Sequence, residues 1–244
     1  MSEQQTALPV AGNEKQEEKK YVPRVIEKKS GGIYYHMGLI AGKKNVFTTP
    51  EYLDMMAGAL RYAELSRDIK NLGFVVMPNF FMWIFKLSPK QNDPVTVYGE
   101  VKKFAAREIL NNLYAEKSGG EFAMSPIFKN NKRVMRSKAE KILFAFAEEA
   151  RKMKNKGMQK FRIWAPRTET KLISSQNLAE TMEKLMKCPV SERWQLVAEA
   201  KDYPYLYLAE DWQNFCQKDE DEEVKYIATP INQSFDRKLV SVGS

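Results

Sequence analysis

The sequence predicts an α+β fold built on an antiparallel sheet of the ferredoxin-like βαββαβ type. The first observation is a stretch from Ile33 to Ile40 that is rich in β-branched and aromatic residues, as strands are. The second is the apolar run over 72–85, which reads as two strands joined at 77–79 by Met-Pro-Asn. The third is the helical spacing of apolar residues before and after that pair. The resulting order is strand, helix, strand, strand, helix, and the helices are expected on one face of the sheet.

The two long helices are predicted from their first residues and from their periodicity. Thr49 can cap a helix that begins at Pro50, because proline suits the first helical turn. Pro94 starts the second helix, which is expected to run to about Tyr114. The apolar residues at helical spacing are Tyr52, Met55, Met56, Leu60 and Ala63 in the first helix, and Val97, Val101, Phe104, Ala105, Ile109 and Leu113 in the second.

Later elements are predicted after the breaking sequence Lys-Ser-Gly-Gly at 117–120. A long inserted helix is expected over about 132–154, with basic residues near both of its ends. The last strand is expected over 160–164. A further helix, capped by serine, is expected to end near Lys187.

The predicted organisation has three parts. Residues 1–30 form a basic, polar tail that we expect to be disordered or ordered by a partner. A domain follows over 31–207, with the insertion at about 118–158. A C-terminal extension occupies 208–244. Since 43% of the 244 residues are hydrophobic, the domain can bury a real core.

Composition narrows the classes of function. The net charge of +8 favours a polyanionic partner, most often nucleic acid. The first residues lack the apolar segment of a signal peptide, and no apolar run approaches the length of about 18 residues that spans a bilayer. We therefore expect a cytoplasmic protein without a membrane partner.

Few residues are available for metal or triad chemistry. Cys188 and Cys216 are too few for a disulfide scaffold or a zinc site. His36 is the one histidine, so a two-histidine metal site or a catalytic triad cannot be built within one chain. On a strand, such a histidine is expected to be packed or hydrogen-bonded.

Six short segments carry a resemblance to a known family when they are taken together and in order. The segments are Gly31-Gly32-Ile33-Tyr34-Tyr35-His36, Met77-Pro78-Asn79, Glu100-Val101-Lys102-Lys103-Phe104, Ile163-Trp164 with Pro166-Arg167, Cys188-Pro189-Val190, and Asp202-Tyr203-Pro204-Tyr205. They resemble the REP-associated tyrosine transposases, relatives of the HUH single-tyrosine insertion-sequence transposases. The resemblance spans about 31–207, leaves 119–160 unmatched and implies the ferredoxin-like fold named above.

The resemblance also implies which chemistry this chain lacks. In the family, two histidines after Met-Pro-Asn hold a divalent metal, and a tyrosine on a late helix attacks the phosphate. The histidine positions fall here on Phe80 and Met82, which do not bind Mg²⁺ or Mn²⁺, and the tyrosine position falls on Lys184. The resemblance therefore predicts a degenerate member that has no catalytic residues, no metal and no cofactor.

The strand that carries Phe80 has two interpretations. Alternation places Phe80, Met82 and Ile84 on one face, and the neighbouring aromatic residues on the other. Phe80 or Trp83 could form a platform for an unpaired base, but a strand buried on both faces is the favoured interpretation. Exposed Phe and Met would then need a cover: the inserted helix, a tail or a partner.

Three functions stay open at this point. The favoured one is a catalytically inactive transposase-like protein that binds structured or single-stranded nucleic acid, either a DNA hairpin or RNA. The second is a structural or accessory subunit of a larger ribonucleoprotein or protein assembly. The third is an active single-strand transposase with a displaced site, drawing on His36, Tyr98, Glu100 or Tyr114. The basic residues predicted to bind phosphates are Lys102, Lys103, Arg107, Lys132, Arg133, Arg136, Arg162 and Arg167.

Overall fold

The computed structural model describes residues 26–119, 127–129, 132–134, 137–152, 159–166 and 169–216. Its strands are β1 (Ile33–Leu39), β2 (Ile69–Met77), β3 (Phe80–Leu87), β4 (Ile127–Lys129), β5 (Lys132–Val134), β6 (Glu169–Ile173) and β7 (Leu206–Leu208). Its α-helices are α1 (Pro50–Ser66), α2 (Pro94–Gly119), α3 (Lys138–Arg151) and α4 (Ser175–Lys187). Short 3₁₀ turns lie at Ala41–Lys43, Ala200–Asp202 and Trp212–Phe215.

Five of the strands form one sheet in the order β6-β1-β3-β2-β7, and each neighbouring pair is antiparallel. β3 lies between β1 and β2, which α1 connects. Strands β4 and β5 form a separate hairpin. The predicted α+β class and antiparallel sheet are confirmed, and the ferredoxin-like topology stays a prediction.

The last strand was predicted wrongly. The segment 160–164 forms a single bridge, between Ile40 and Trp164, and the edge strand beside β1 is β6. Two backbone hydrogen bonds join the segment to the end of β1, and side chains hold it as well: Ile163 is buried, and the Trp164 ring packs edge-on to Phe81 at 5.5 Å. The aromatic and β-branched residues of this segment therefore reflect burial against the core and not pairing as a strand of the sheet.

The inserted helix is shorter than predicted. Residues 132–134 lie on β5, and the helix begins only at Lys138. Ser137 fixes this start, because its hydroxyl accepts a hydrogen bond from the Glu140 backbone N–H at 3.0 Å. The helix ends at Arg151.

The sheet is covered on both faces. Buried residues of α1, α2 and α3 pack against Tyr34, Phe74 and Trp83 on one face. Buried residues of α4 and the chain that follows it pack against Leu72 and Ile84 on the other. The predicted layer of helices on one face therefore holds for α1 to α3, whereas α4 lies opposite them.

Candidate nucleic-acid interface

The positions that the resemblance assigns to metal ligands lie in a packed layer. Met82 is buried, with its Sδ 3.3 Å from the Sγ of Cys188. Phe80 is half-buried, and its ring centroid lies 6.1 Å from that of Trp194. A phenyl ring and a thioether do not ligate Mg²⁺ or Mn²⁺, so the metal of the family does not fit here. Nowhere in the described part of the chain do three or more His, Cys, Asp or Glu side chains cluster as metal ligands would.

The cover over this layer is α4 and the segment that follows it. Leu178, Met182 and Leu185 of α4 are buried against the sheet. The inserted helix was one predicted cover, but α3 packs with α2 on the opposite face. Burial raises the pKa of the Cys188 thiol to about 11, so this thiol is protonated at neutral pH. Trp83, the other proposed base platform, is fully buried on the opposite face of the sheet, which α1, α2 and α3 cover.

Lys184, at the position that the resemblance assigns to the attacking tyrosine, lies on the side of α4 that faces away from the sheet. It is exposed, next to the buried Leu185. Its Nζ pairs with Glu180 Oε1 at 2.7 Å, one helical turn earlier. This hydrogen bond lowers the pKa of the Glu180 carboxyl.

His36 lies on the opposite face of the sheet from Phe80 and Met82. Its Nδ1 is 2.8 Å from Thr170 Oγ1 on β6, and its ring stacks on Tyr98 of α2 with centroids 4.1 Å apart. Its side chain is fully buried, and Nε2 has no hydrogen-bond partner among the residues that the structure describes. The expectation of a packed, hydrogen-bonded histidine is confirmed.

Acid is expected to destabilise the protein through His36. Burial first, and then the charge of Lys102, lower the pKa of His36 well below 6.5. Below pH 6.5 the imidazole of His36 is therefore protonated in the unfolded chain but stays neutral in the folded chain. The free energy of unfolding consequently falls as pH falls. Between pH 7 and 5.5 the free energy of unfolding should drop by about 1 kcal/mol. Urea unfolding at several pH values checks this, and a His36→Phe variant should lose the dependence. An equal slope in the variant would contradict the assignment, since the chain has no other histidine.

The groups considered for a displaced active site are not gathered in one place. Tyr114 is 16 residues from Tyr98 on α2, a rise of about 24 Å, and its ring packs against Phe161. Glu100 pairs with Arg67, just beyond the end of α1. Of the four groups, only His36 and Tyr98 touch.

Lys102 is the most unusual of the predicted phosphate-binding residues. It is half-buried on α2, and its Nζ lies over the Trp164 ring, 5.5 Å from the centroid. The Trp164 indole N–H donates to the Lys102 carbonyl at 2.8 Å, which fixes the ring beside the helix. Burial lowers the pKa of the amine to about 8. Sequence reasoning named both residues but had no signal that they touch.

The other predicted phosphate-binding residues are distributed more widely. Lys103 is exposed on α2, while Arg107 pairs with its neighbour Glu108 at 3.0 Å. Arg162 is half-buried, and its backbone N–H donates to the Phe146 carbonyl at 3.0 Å. Lys132 and Arg133 lie on β5, and Arg136 and Arg167 lie outside the described residues.

Three chain segments meet at the end of β1, and we call this place the Trp164 junction. It comprises residues 39–44, residues 98–103 and residues 159–166. Backbone hydrogen bonds from Ala41 to Ile163 and from Ala165 to Leu39, each 2.8 Å, join the first segment to the third. The bond from Trp164 to the Lys102 carbonyl joins the second to the third.

The cations of the Trp164 junction have no carboxylate partner among the described residues. Lys43, Lys44 and Lys160 were not among the basic residues predicted to bind phosphates, although only three residues separate Lys43-Lys44 from β1. The cations are Lys43, Lys44, Lys102, Lys103, Lys160 and Arg162.

Four basic residues on or next to α3 and α4 pair with neighbouring carboxylates. On α4, Lys187 pairs with Glu183 at 2.5 Å, as Lys184 does with Glu180. On α3, Arg151 pairs with Glu148, and Lys152 of the adjoining turn pairs with Glu149. Less of the positive charge of these four residues is therefore available to a partner than that of the cations at the Trp164 junction.

Comparison with solved structures finds a likeness in fold, whereas the other two comparisons find nothing. No family model and no curated protein matches the chain. The chain is similar to a solved structure of a REP-associated tyrosine transposase bound to a REP hairpin, with 17% sequence identity and a TM-score of 0.44. The match covers 77% of this chain and 81% of the other. It assigns no role to any residue of this chain. Within the described residues, no helix is both long enough and apolar enough to cross a membrane.

Proposed function

We propose that this chain is a catalytically inactive relative of the REP-associated tyrosine transposases that binds structured or single-stranded nucleic acid at the Trp164 junction. The observation that carries the proposal is the set of cations around Trp164 that no carboxylate of the described chain neutralises. Each such cation can release a counterion from a phosphate backbone, which supplies the sequence-independent part of binding.

Aromatic rings accompany these cations. Trp164 is half-buried, and Lys160 lies over the Phe161 ring at 5.5 Å from the centroid. Basic and aromatic side chains side by side are typical of surfaces that hold a strand by its phosphates and stack its bases. Such a surface grips a hairpin loop or a single strand and has no direct means of reading a duplex sequence.

Loss of catalysis is the second part of the proposal. Phe80 and Met82 sit under α4, and Lys184 faces away from them, so neither a metal ligand nor a nucleophile occupies the place that the resemblance assigns to it. Incubation with a DNA hairpin and Mn²⁺ tests this part. We expect no covalent protein–DNA adduct on a denaturing gel. An adduct that disappears in a Tyr98→Phe or Tyr114→Phe variant would show an active enzyme with a displaced site.

Binding is tested by fluorescence anisotropy with three labelled probes of equal length: a DNA hairpin, single-stranded DNA and single-stranded RNA. Affinity should fall with salt on a log–log plot with a slope of roughly −4, because about six cations contribute about −0.7 each on a single strand. The DNA and RNA arms decide which polymer is preferred. Failure to bind any probe at 50 mM salt would overturn the proposal. Recovery from the host within a stoichiometric complex would then support the subunit alternative.

A further inference from the structure

Lys102 holds a charge that no carboxylate of the described chain balances. Its amine lies over the Trp164 ring, and its charge lowers the pKa of the buried His36. Burial lowers the pKa of the amine itself. A buried ammonium normally has a carboxylate partner, because desolvation without one costs free energy. His36 is neutral at pH 7, so it adds no second positive charge to the site.

We propose that the Lys102 ammonium and the Trp164 ring form a subsite for one phosphate of the bound strand, an inference that rests on the proposed function. The phosphate is the missing counter-charge: it replaces the hydration that the amine has lost and leaves the Trp164 contact in place. Lys102 is only half-buried, so one side of the site is open to a ligand. Exposed Lys103, next along α2, provides a comparison because it carries the same charge without burial.

Binding at the subsite should be coupled to proton uptake by Lys102, which is not expected for a phosphate contact made by an exposed lysine. The free amine has a pKa of about 8, so near pH 8 it is about half neutral. An anion at contact distance favours the charged form and raises this pKa, so binding takes up a proton. Tyr98 on α2 and His36 on β1 are the other titratable groups here. The pKa of Tyr98 is raised by burial and that of His36 is lowered, so both stay neutral around pH 8.

The experiment follows the ¹³Cε resonance of Lys102 against pH by NMR in the full chain labelled with ¹³C-lysine. The resonance is assigned by its absence from a Lys102→Arg variant. The titration is run on the free protein, with inorganic phosphate and with a single-stranded oligonucleotide. We expect a free pKa near 8 that rises by about one unit or more with either probe. In a Lys103→Arg variant the shift should persist.

The outcomes separate the subsite from the proposed function. If the oligonucleotide binds and the Lys102 pKa does not move, the subsite is wrong while the proposed function stands. If the oligonucleotide does not bind, the proposed function fails, and the inorganic phosphate arm still decides the subsite. A free pKa near 10.5 would also overturn the subsite, because the amine would then be fully hydrated.

Discussion

Changing Lys102, Lys103 and Arg162 together to glutamine is expected to weaken oligonucleotide binding about a hundredfold near 0.1 M salt, since each phosphate contact is worth roughly 1 kcal/mol. These three residues meet at the Trp164 junction without a carboxylate partner in the described chain, so their charge is available to the strand. The slope of log affinity against log salt should become less steep by about 2. Anisotropy titrations at four salt concentrations measure both quantities.

The matched control lies on the other face of the molecule. A Lys184→Gln, Lys187→Gln double variant also removes positive charge, but from lysines that already pair with Glu180 and Glu183. Its affinity should change by less than about threefold, because little of this charge is available to the strand. An equal loss per charge in both variants would mean that binding follows net charge alone, and the junction would have no special role. Circular dichroism of each variant confirms that it is folded.

Replacing Trp83 with alanine is expected to lower the free energy of unfolding by about 3–5 kcal/mol. Trp83 is fully buried on β3, and its indole N–H donates to Asn71 Oδ1 on β2 at 2.7 Å. Asn71 Nδ2 in turn donates to the Leu60 carbonyl of α1 at 3.0 Å. The substitution therefore opens a cavity and leaves a buried amide oxygen without its donor.

Urea unfolding followed by circular dichroism measures this loss. A Trp83→Phe variant keeps much of the ring volume but removes the donor, so it should cost about 1–3 kcal/mol. Adding Asn71→Leu to Trp83→Phe isolates the hydrogen bond in a double-mutant cycle. A loss below 1 kcal/mol in Trp83→Ala would contradict the packing described for this face of the sheet.

The first half of the fold could be predicted because its signals are local. Pro50 and Pro94 mark the helix starts that the structure shows, and Met77-Pro78-Asn79 marks the turn between β2 and β3. The last strand could not be predicted, because residues 160–164 and 169–173 differ in tertiary contacts and not in strand-like composition. The helical spacing of apolar residues in α4 shows that the helix has a buried face, but no local signal indicates against which face of the sheet it packs.

The candidate site was predicted in its parts and not in its arrangement. Alternation correctly separated Phe80 and Met82 from Phe81 and Trp83, because successive strand residues point to opposite faces. Lys102 was one of eight basic residues predicted to bind phosphates, and nothing in the sequence ranked it above the other seven. Its partner Trp164 lies 62 residues later in the chain, and only the fold brings the two together.

The layer beneath α4 also limits what could be engineered at Phe80 and Met82. Histidines at both positions would face Cys188, Trp194 and the apolar side of α4. Buried, unsatisfied ring nitrogens there would destabilise the fold. A metal site at these positions would therefore require displacing α4 as well as changing two side chains.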